Sequence, residues 1–174
     1  MAEENKEKWL NWLALSTLIF SAAATLGSFK GGGYSGLAMM SQNLASDQWA
    51  FYQAKSIKQH TYDLERDLLR LQIQHAPEAV QPKYQETIDR YTKEIERYTT
   101  EKKEIEAKAR GHEKTKTEAQ RYGGIFGKAV LYLQVAIMLA ALGALLKKKP
   151  LWIIGLVPGV VGLVYFANGF WLFF

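Results

Sequence analysis

The residues best suited to chemistry form a small polar set on two segments that are otherwise patterned as long helices. They are Asn43 and Asp47 on the first segment, and His112 and Lys116 on the second. A histidine beside a carboxylate titrates near neutral pH, and a half-buried charge needs a partner. We therefore predict a polar cluster of these four residues. It would either fix the helix register or bind a ligand, proton or ion, and the remaining alternative is that all four are solvated with no joint role.

The second segment carries the pattern that would position this cluster. Between residues 84 and 119, apolar or half-apolar residues recur with alternating steps of four and three, interrupted by Lys102 and Lys116. A period of 3.5 residues held for about five heptads is typical of a coiled-coil helix. These positions predict the second long helix, over residues 84–119, which we label α2. We call them the α2 seam: Tyr84, Ile88, Tyr91, Ile95, Tyr98, Ile105, Ala109, His112 and Ala119.

The first segment supplies a partner helix for the seam. Residues 37–75 contain neither proline nor glycine, and Pro77 and Pro82 bracket a turn near residues 76–82. Folding the chain about this turn makes an antiparallel hairpin that places His112 near Asp47. The first helix carries two apolar stripes, and the phase slips by one residue between them. The stripes are Leu37, Met40, Leu44 and Phe51, followed by Ile57, Leu64, Leu68 and Leu71.

Three apolar blocks flank this charged region, at residues 9–29, 129–146 and 151–174. Each is long enough to cross about 30 Å of hydrocarbon as a helix. The first could instead be a signal peptide, but the lead before it contains Glu3, Glu4 and Glu7 rather than a clean positive region, so we expect an uncleaved anchor. Glycines at 31–33 and 36, and again at 123, 124 and 127, predict flexible hinges next to the membrane.

These elements define an all-α fold with three transmembrane helices and a long extramembrane antiparallel coiled-coil hairpin between spans 1 and 2. The predicted domains are residues 1–29 (lead and first span), 30–122 (Gly hinge and hairpin) and 123–174 (second and third spans, joined by a Lys-rich loop). Lysines in short loops favour the cytoplasm. We therefore expect the N-terminus and the Lys147 loop inside, and the hairpin and the C-terminus outside, in a bacterial inner membrane.

Polar residues within the spans form a candidate pore or packing face. Small hydroxyl and amide side chains let transmembrane helices approach closely and hydrogen-bond to one another, which makes helix packing the plainer interpretation and a pore lining the alternative. These residues are Thr17, Ser21, Thr25, Gln134 and Asn168.

The composition excludes several functions. The net charge is +5, but residues 30–121 contain 16 Lys and Arg against 14 Asp and Glu with the signs interleaved, so a nucleic-acid face is not expected. The chain has no cysteine, and His60, His75 and His112 lie far apart in the hairpin. No nucleophile–base pair, metal cluster or cofactor loop is evident. We expect no enzymatic activity, no cofactor and no metal, with membrane lipid as the surroundings.

The run from Asn43 to Gln59, NLASDQWAFYQAKSIKQ, resembles a bacterial membrane protein family that carries the domain of unknown function numbered 4337. The resemblance covers essentially the whole chain, and the family brings no activity, cofactor or catalytic residue. It implies that Asp47, Trp49, Phe51, Tyr52, Gln53, Lys55 and Ser56 belong to the family's signature. Trp49, Phe51 and Tyr52 exceed what one partner helix can cover, because neighbouring helical residues point in different directions. They form a candidate interaction surface.

Together these features predict an integral membrane protein that acts as a homo-oligomeric structural or interaction module. An oligomeric pore or ion channel is the first alternative. A membrane enzyme is the least favoured one.

Overall fold

Three α-helices make up the structure, a computed structural model that describes the backbone of residues 2–171 and the side chains of residues 8–171. Helix α1 spans Ala2–Ile73, α2 spans Gln81–Leu145 and α3 spans Lys149–Trp171. Each is long and apolar enough, over part of its length, to cross a membrane. The all-α prediction is confirmed for the described residues. The predicted end of the third span, at Phe174, lies outside them.

Two turns connect the helices, and both lie where the sequence predicts them. Residues 74–80 join α1 to α2, and the Val80 amide donates to the Pro77 carbonyl at 3.0 Å. Residues 146–148 join α2 to α3. The Lys148 amide donates to the Gly143 carbonyl and Lys147 has a φ of 53°, which is the Schellman ending of an α-helix with a lysine at the left-handed position.

The contacts divide the chain into two compact units. Unit 1 comprises Met1–Met39 with Thr117–Phe174, and unit 2 comprises Met40–Lys116. The sequence predicted domain boundaries at 29/30 and 122/123. In the structure, about ten further residues of α1 and about six further residues of α2 belong to unit 1.

In unit 1, small residues bring the three helices together around a core of Phe20, Ala23, Ala24, Leu133 and Ala136. Glycines on α3 form most of the contact. A Cβ added to Gly159 would overlap the Phe20 ring, and one added to Gly162 would lie 2.7 Å from Leu133 Cγ. Gly155 and Gly159 form a GxxxG pair on α3. A Cβ added to Gly155 would lie 2.9 Å from Leu139 Cβ, so this pair is a close-packing surface.

The glycines predicted to form hinges are helical instead. Residues 30–36 lie within α1, residues 123–127 lie within α2, and none of the described glycines has a positive φ. Gly31 and Gly123 face each other, since a Cβ on Gly123 would lie 3.7 Å from the Gly31 carbonyl oxygen. These two glycines allow α1 and α2 to approach closely in unit 1. The packing energy gained by this close approach offsets the poor helix propensity of glycine.

In unit 2, α1 and α2 lie side by side. Residues with higher numbers on α1 contact residues with lower numbers on α2. Trp49 Nε1 donates to Glu113 Oε1 at 2.8 Å, and Gln59 Nε2 donates to Thr99 Oγ1 at 2.9 Å. The Tyr62 ring lies 5.2 Å from that of Tyr91. In these contacts the two segments run antiparallel.

Candidate functional site

The α2 seam is buried, as its heptad pattern predicts. Ile88, Tyr98, Ile105 and Ala109 of unit 2 are all buried, with Ala109 fully inaccessible. The remaining seam positions of unit 2 are half-buried, including His112. A small residue such as Ala109 allows the two helices to approach closely at that level.

The face that α1 turns towards this seam is polar and aromatic rather than aliphatic. Its half-buried positions include Trp49, Tyr52, Ser56, Gln59 and Tyr62, which recur every three or four residues. The aliphatic side chains Ile57, Leu64, Leu68 and Leu71 of α1 therefore do not cover the seam. These rings bury large apolar surfaces, and the indole N–H of Trp49 also finds a partner on α2 in Glu113.

An ion pair enclosed by aromatic rings lies at the centre of this face. Lys55 Nζ is 2.6 Å from Glu101 Oε2, and its ammonium is also 5.2 Å from the ring centroids of both Phe51 and Tyr98. The hydrogen bond from Lys55 holds the pKa of the Glu101 carboxyl below its ordinary value, with Arg97 adding to the effect. The pair is partly shielded from water, because the Lys55 side chain is only 20% exposed.

Two of the three residues in the candidate interaction surface, Trp49 and Tyr52, contact side chains of α2. Arg110 lies over the Trp49 ring at 6.0 Å, Lys102 lies over the Tyr52 ring at 5.1 Å, and Trp49 also bonds to Glu113. Both rings are half-buried, whereas Phe51 remains 50% exposed. Phe51 is the one of the three that is exposed.

The structure does not bring the predicted polar cluster together. His112 and Lys116 are half-buried on the seam, but Asn43 and Asp47 are exposed, and within residues 8–171 no hydrogen bond or ion pair joins the four. Ala45 explains this, because it is the buried residue at that level of α1. Positions two residues before and after it lie about 200° around the helix and so point away from α2.

The polar partner at this level of α2 is Glu113, which sequence reasoning missed. Glu113 follows the seam position His112 and accepts the indole hydrogen bond of Trp49. Its signal in the sequence was weak, because a glutamate next to a seam is usually solvated. The nearby tryptophan, which needs an acceptor when it is half-buried, was the available clue.

The aliphatic side chains of α1 point outwards and form an exposed apolar surface on unit 2. Ile57, Leu64, Leu68 and Leu71 are 55–69% exposed. They belong to a set of exposed positions with alternating steps of four and three, which we call the α1 stripe. It consists of Ala50, Ala54, Ile57, Thr61, Leu64, Leu68 and Leu71. A second heptad seam therefore lies on the opposite side of α1 from α2.

The candidate pore or packing face of unit 1 is divided. Thr17 donates to the Leu13 carbonyl, Ser21 to Leu18 and Thr25 to Ser21, so each hydroxyl bonds to its own helix. Gln134 is exposed and Asn168 is buried with only 1% exposed. Asn168 and Gln134 thus lie in different surroundings, and the five residues do not share one lining.

Among the residues that the structure describes, no three His, Cys, Asp or Glu side chains are grouped so that they could hold a metal ion. The polar contacts of the site are ion pairs, amide and hydroxyl bonds, and cation–ring contacts. Such an arrangement can hold helices together and recognise another helix.

The family model described as Domain of unknown function (DUF4337) matches residues 9–172, nearly the whole chain. The chain belongs to this family. No curated protein matches the chain, and no solved structure does. The DUF4337 match includes the resemblance run at residues 43–59, within which Trp49, Tyr52 and Lys55 make the inter-helix contacts described above.

Proposed function

We propose that the protein is a membrane-anchored homo-oligomeric interaction module whose subunits associate through the α1 stripe. The observation that carries the proposal is the exposure of Ile57, Leu64, Leu68 and Leu71 at heptad spacing. Burying each of these side chains against a partner contributes on the order of 2 kcal/mol. In this proposal the protein is not an enzyme and needs no cofactor.

The heptad steps of the stripe favour another copy of α1 as its partner. Two chains inserted in the same direction into one membrane present α1 in the same direction, so identical stripe positions meet about a twofold axis. Leucines at 64, 68 and 71 would fill the seam, and the alanines at 50 and 54 would allow close approach at its other end. The flanking His60 of one chain would then face Glu65 of the other, as a g position faces the following e position.

Crosslinking tests this arrangement, and the absence of native cysteine makes it simple. With Ile57→Cys, oxidation of the membrane-embedded protein is expected to give a covalent dimer. Lys93→Cys, at an exposed position of α2, is the matched control and is expected to remain monomeric on denaturing gels. Equal crosslinking of the two variants would contradict the proposal.

A mass measurement tests the same surface independently. The Leu64→Asp/Leu68→Asp variant is expected to lower the mass of the detergent-solubilised particle, measured by light scattering, to that of the monomer. The control carries the same charge change at the exposed α2 positions Thr100 and Ala107 and should keep the wild-type mass. A wild-type protein that is monomeric in detergent and in bilayers would refute the oligomer.

We also propose that unit 2 is an antiparallel coiled-coil hairpin that lies outside the hydrocarbon core of the membrane. The antiparallel pairing of Trp49 with Glu113 and of Gln59 with Thr99 supports it, as does the buried 3.5-residue period of the α2 seam. The aromatic cover on α1 makes this coiled coil unlike one with leucine on both sides.

The proposed location is a bacterial inner membrane, with the N-terminus and the Lys147 loop in the cytoplasm and the hairpin outside. The three lysines at 147–149, in a short loop, support this orientation. A single cysteine at Gln74 should react with an impermeant thiol reagent added to intact cells. Labelling that needs cell lysis would reverse the orientation.

A further inference from the structure

The distribution of charge in unit 1 singles out the groove between α2 and α3. From residue 120 to residue 171 the chain contains no Asp or Glu, yet it carries Arg121 and Lys128 on α2. These two cations are seven residues apart, so they lie on the same face of the helix, about 10 Å from each other along its axis.

The groove beside these cations is built from both helices and has a volume of about 460 Å³. Its lining includes Gln120, Arg121, Gly124 and Lys128 from α2, and Tyr165 and Asn168 from α3. Apart from Ile125, the side chains on its walls are cations, amides and a phenol, with no carboxylate among the lining residues.

Aromatic contacts fix the walls of the groove. The Tyr165 ring stacks on Tyr132 with centroids 5.7 Å apart, and the Lys128 ammonium lies 5.9 Å from the Tyr165 centroid. Between the two cations, Gly124 leaves the floor open, because a Cβ added there would meet nothing within 4 Å. The groove therefore has an aromatic wall, open space at Gly124 and the cations Arg121 and Lys128 on either side of it.

The chemistry of this lining suits a phosphate diester. Arginine and lysine neutralise its charge, and the exposed amide of Gln120 can donate a hydrogen bond to its oxygens. The position along the chain suits a lipid, because the apolar stretch of α2 begins immediately after Lys128 and interfacial lysine, arginine and tyrosine lie at headgroup depth in membrane helices.

We propose that the α2/α3 groove at Arg121 and Lys128 binds the phosphate of an anionic phospholipid, with Tyr165 and Gly124 shaping the space for the headgroup. The proposal depends on insertion in a membrane and not on oligomerisation. An anionic lipid would then be a second binding partner, besides the other copies of this chain.

The test uses the full chain, delipidated in a neutral detergent and titrated with dioleoyl phosphatidylglycerol or dioleoyl phosphatidylcholine. Native mass spectrometry counts the lipids retained per protein. We expect the wild type to retain phosphatidylglycerol in preference to phosphatidylcholine. Each cation beside an anionic lipid is worth roughly fivefold in affinity, so Arg121→Gln/Lys128→Gln should weaken phosphatidylglycerol binding about 25-fold.

A matched control removes the same charge elsewhere. Lys148→Gln/Lys149→Gln should leave phosphatidylglycerol binding at the wild-type level, and an equal loss in both double variants would overturn the proposal. So would an undiminished lipid preference in the Arg121/Lys128 variant. Helicity measured by circular dichroism, unchanged in all variants, shows that the comparison is made between folded proteins.

Two further arms separate shape from charge and lipid from free phosphate. Gly124→Leu keeps every cation but fills the floor of the groove, and it should also reduce phosphatidylglycerol binding, whereas wild-type binding in this variant would contradict the assignment of the groove. Excess inorganic phosphate should leave the bound lipid in place. Complete displacement of the lipid by inorganic phosphate would show an anion site and overturn the lipid assignment.

Discussion

Lys55 Nζ lies 2.6 Å from Glu101 Oε2, between the rings of Phe51 and Tyr98, and joins α1 to α2 at the centre of unit 2. The pair is an ion pair across this interface whose charges sit beside aromatic rings and are partly removed from water. Its position on the α2 side falls between the seam residues Tyr98 and Ile105.

The lowered pKa of Glu101 makes the stability of unit 2 depend on pH. A carboxyl whose pKa is lower in the folded state adds stability above its unfolded pKa, near the ordinary value of 4.5, and loses it as pH falls through the folded pKa. We therefore expect the thermal midpoint of unit 2, followed by circular dichroism, to fall as pH drops below about 4.5.

The Glu101→Gln variant is the control for this pH dependence. It should be less stable than wild type at pH 7 and should show a smaller decrease on acidification. Glu104, which is exposed on the same helix, gives the matched comparison, and Glu104→Gln should keep the wild-type pH profile. Identical profiles for wild type and Glu101→Gln would show that the Lys55 pair does not contribute.

The contact between Gly159 and Phe20 predicts a steric effect in unit 1. Gly159→Ala would place a methyl group on the Phe20 ring, and overpacking of this kind typically costs about 1–3 kcal/mol. Gly32→Ala is the matched control, since a Cβ there meets nothing within 4 Å and the better helix propensity of alanine should stabilise α1 by about 1 kcal/mol.

Unfolding of the detergent-solubilised protein, measured by its resistance to heat and protease, checks this pair of glycine variants. The decisive comparison adds Phe20→Ala to Gly159→Ala. Removing the ring should recover part of the stability lost on adding the methyl group, because the two changes act on one contact. Additive losses would show that Gly159 and Phe20 do not meet.

The hydrogen bond from Trp49 to Glu113 should be measurable by a double-mutant cycle. Trp49→Phe removes the indole donor while keeping an aromatic ring, and we expect a loss of about 1 kcal/mol in the free energy of unfolding. Glu113→Gln weakens the acceptor. Chemical denaturation of the two single variants and the double variant should give a favourable coupling energy between the positions. A coupling energy of zero would argue against the contact.

Lys147 holds a left-handed backbone conformation with a φ of 53°. A side chain with a Cβ pays roughly 1 kcal/mol for that conformation, and glycine does not. Lys147→Gly is therefore expected to stabilise the α2–α3 turn, and Lys147→Val to destabilise it. Lys149, at the start of α3, is the control position, where glycine should give no gain in thermal stability.

The heptad pattern predicted the helix that carries the α2 seam, and two prolines predicted the turn between the long helices. Both depend on local physics: apolar periodicity over residues 84–119, and prolines at 77 and 82 that disfavour helix before them. The buried seam at Ile88, Ile105 and Ala109 follows from the same period. Local rules were sufficient here because a single helix sets all of these spacings.

Rules of the same local kind were wrong about the glycines. Gly31 and Gly123 are poor helix formers in isolation, and the sequence predicted hinges from them. They lie in helices because each allows the other helix to approach, and that benefit exists only once two segments distant in sequence are packed together.

What the sequence by itself determined is the set of long helices, three apolar stretches able to cross a membrane, and one seam that had to be covered. The tertiary structure alone decided which face of α1 covers it. Tyr52, Tyr62 and Trp49 cover the seam instead of the leucines, because groups on α2 pair with these polar aromatic side chains. Lys102 lies over the Tyr52 ring, Tyr98 stacks on Tyr62, and Glu113 accepts a hydrogen bond from Trp49. Such pairing depends on the relative rotation of two helices, which no periodicity within one helix specifies.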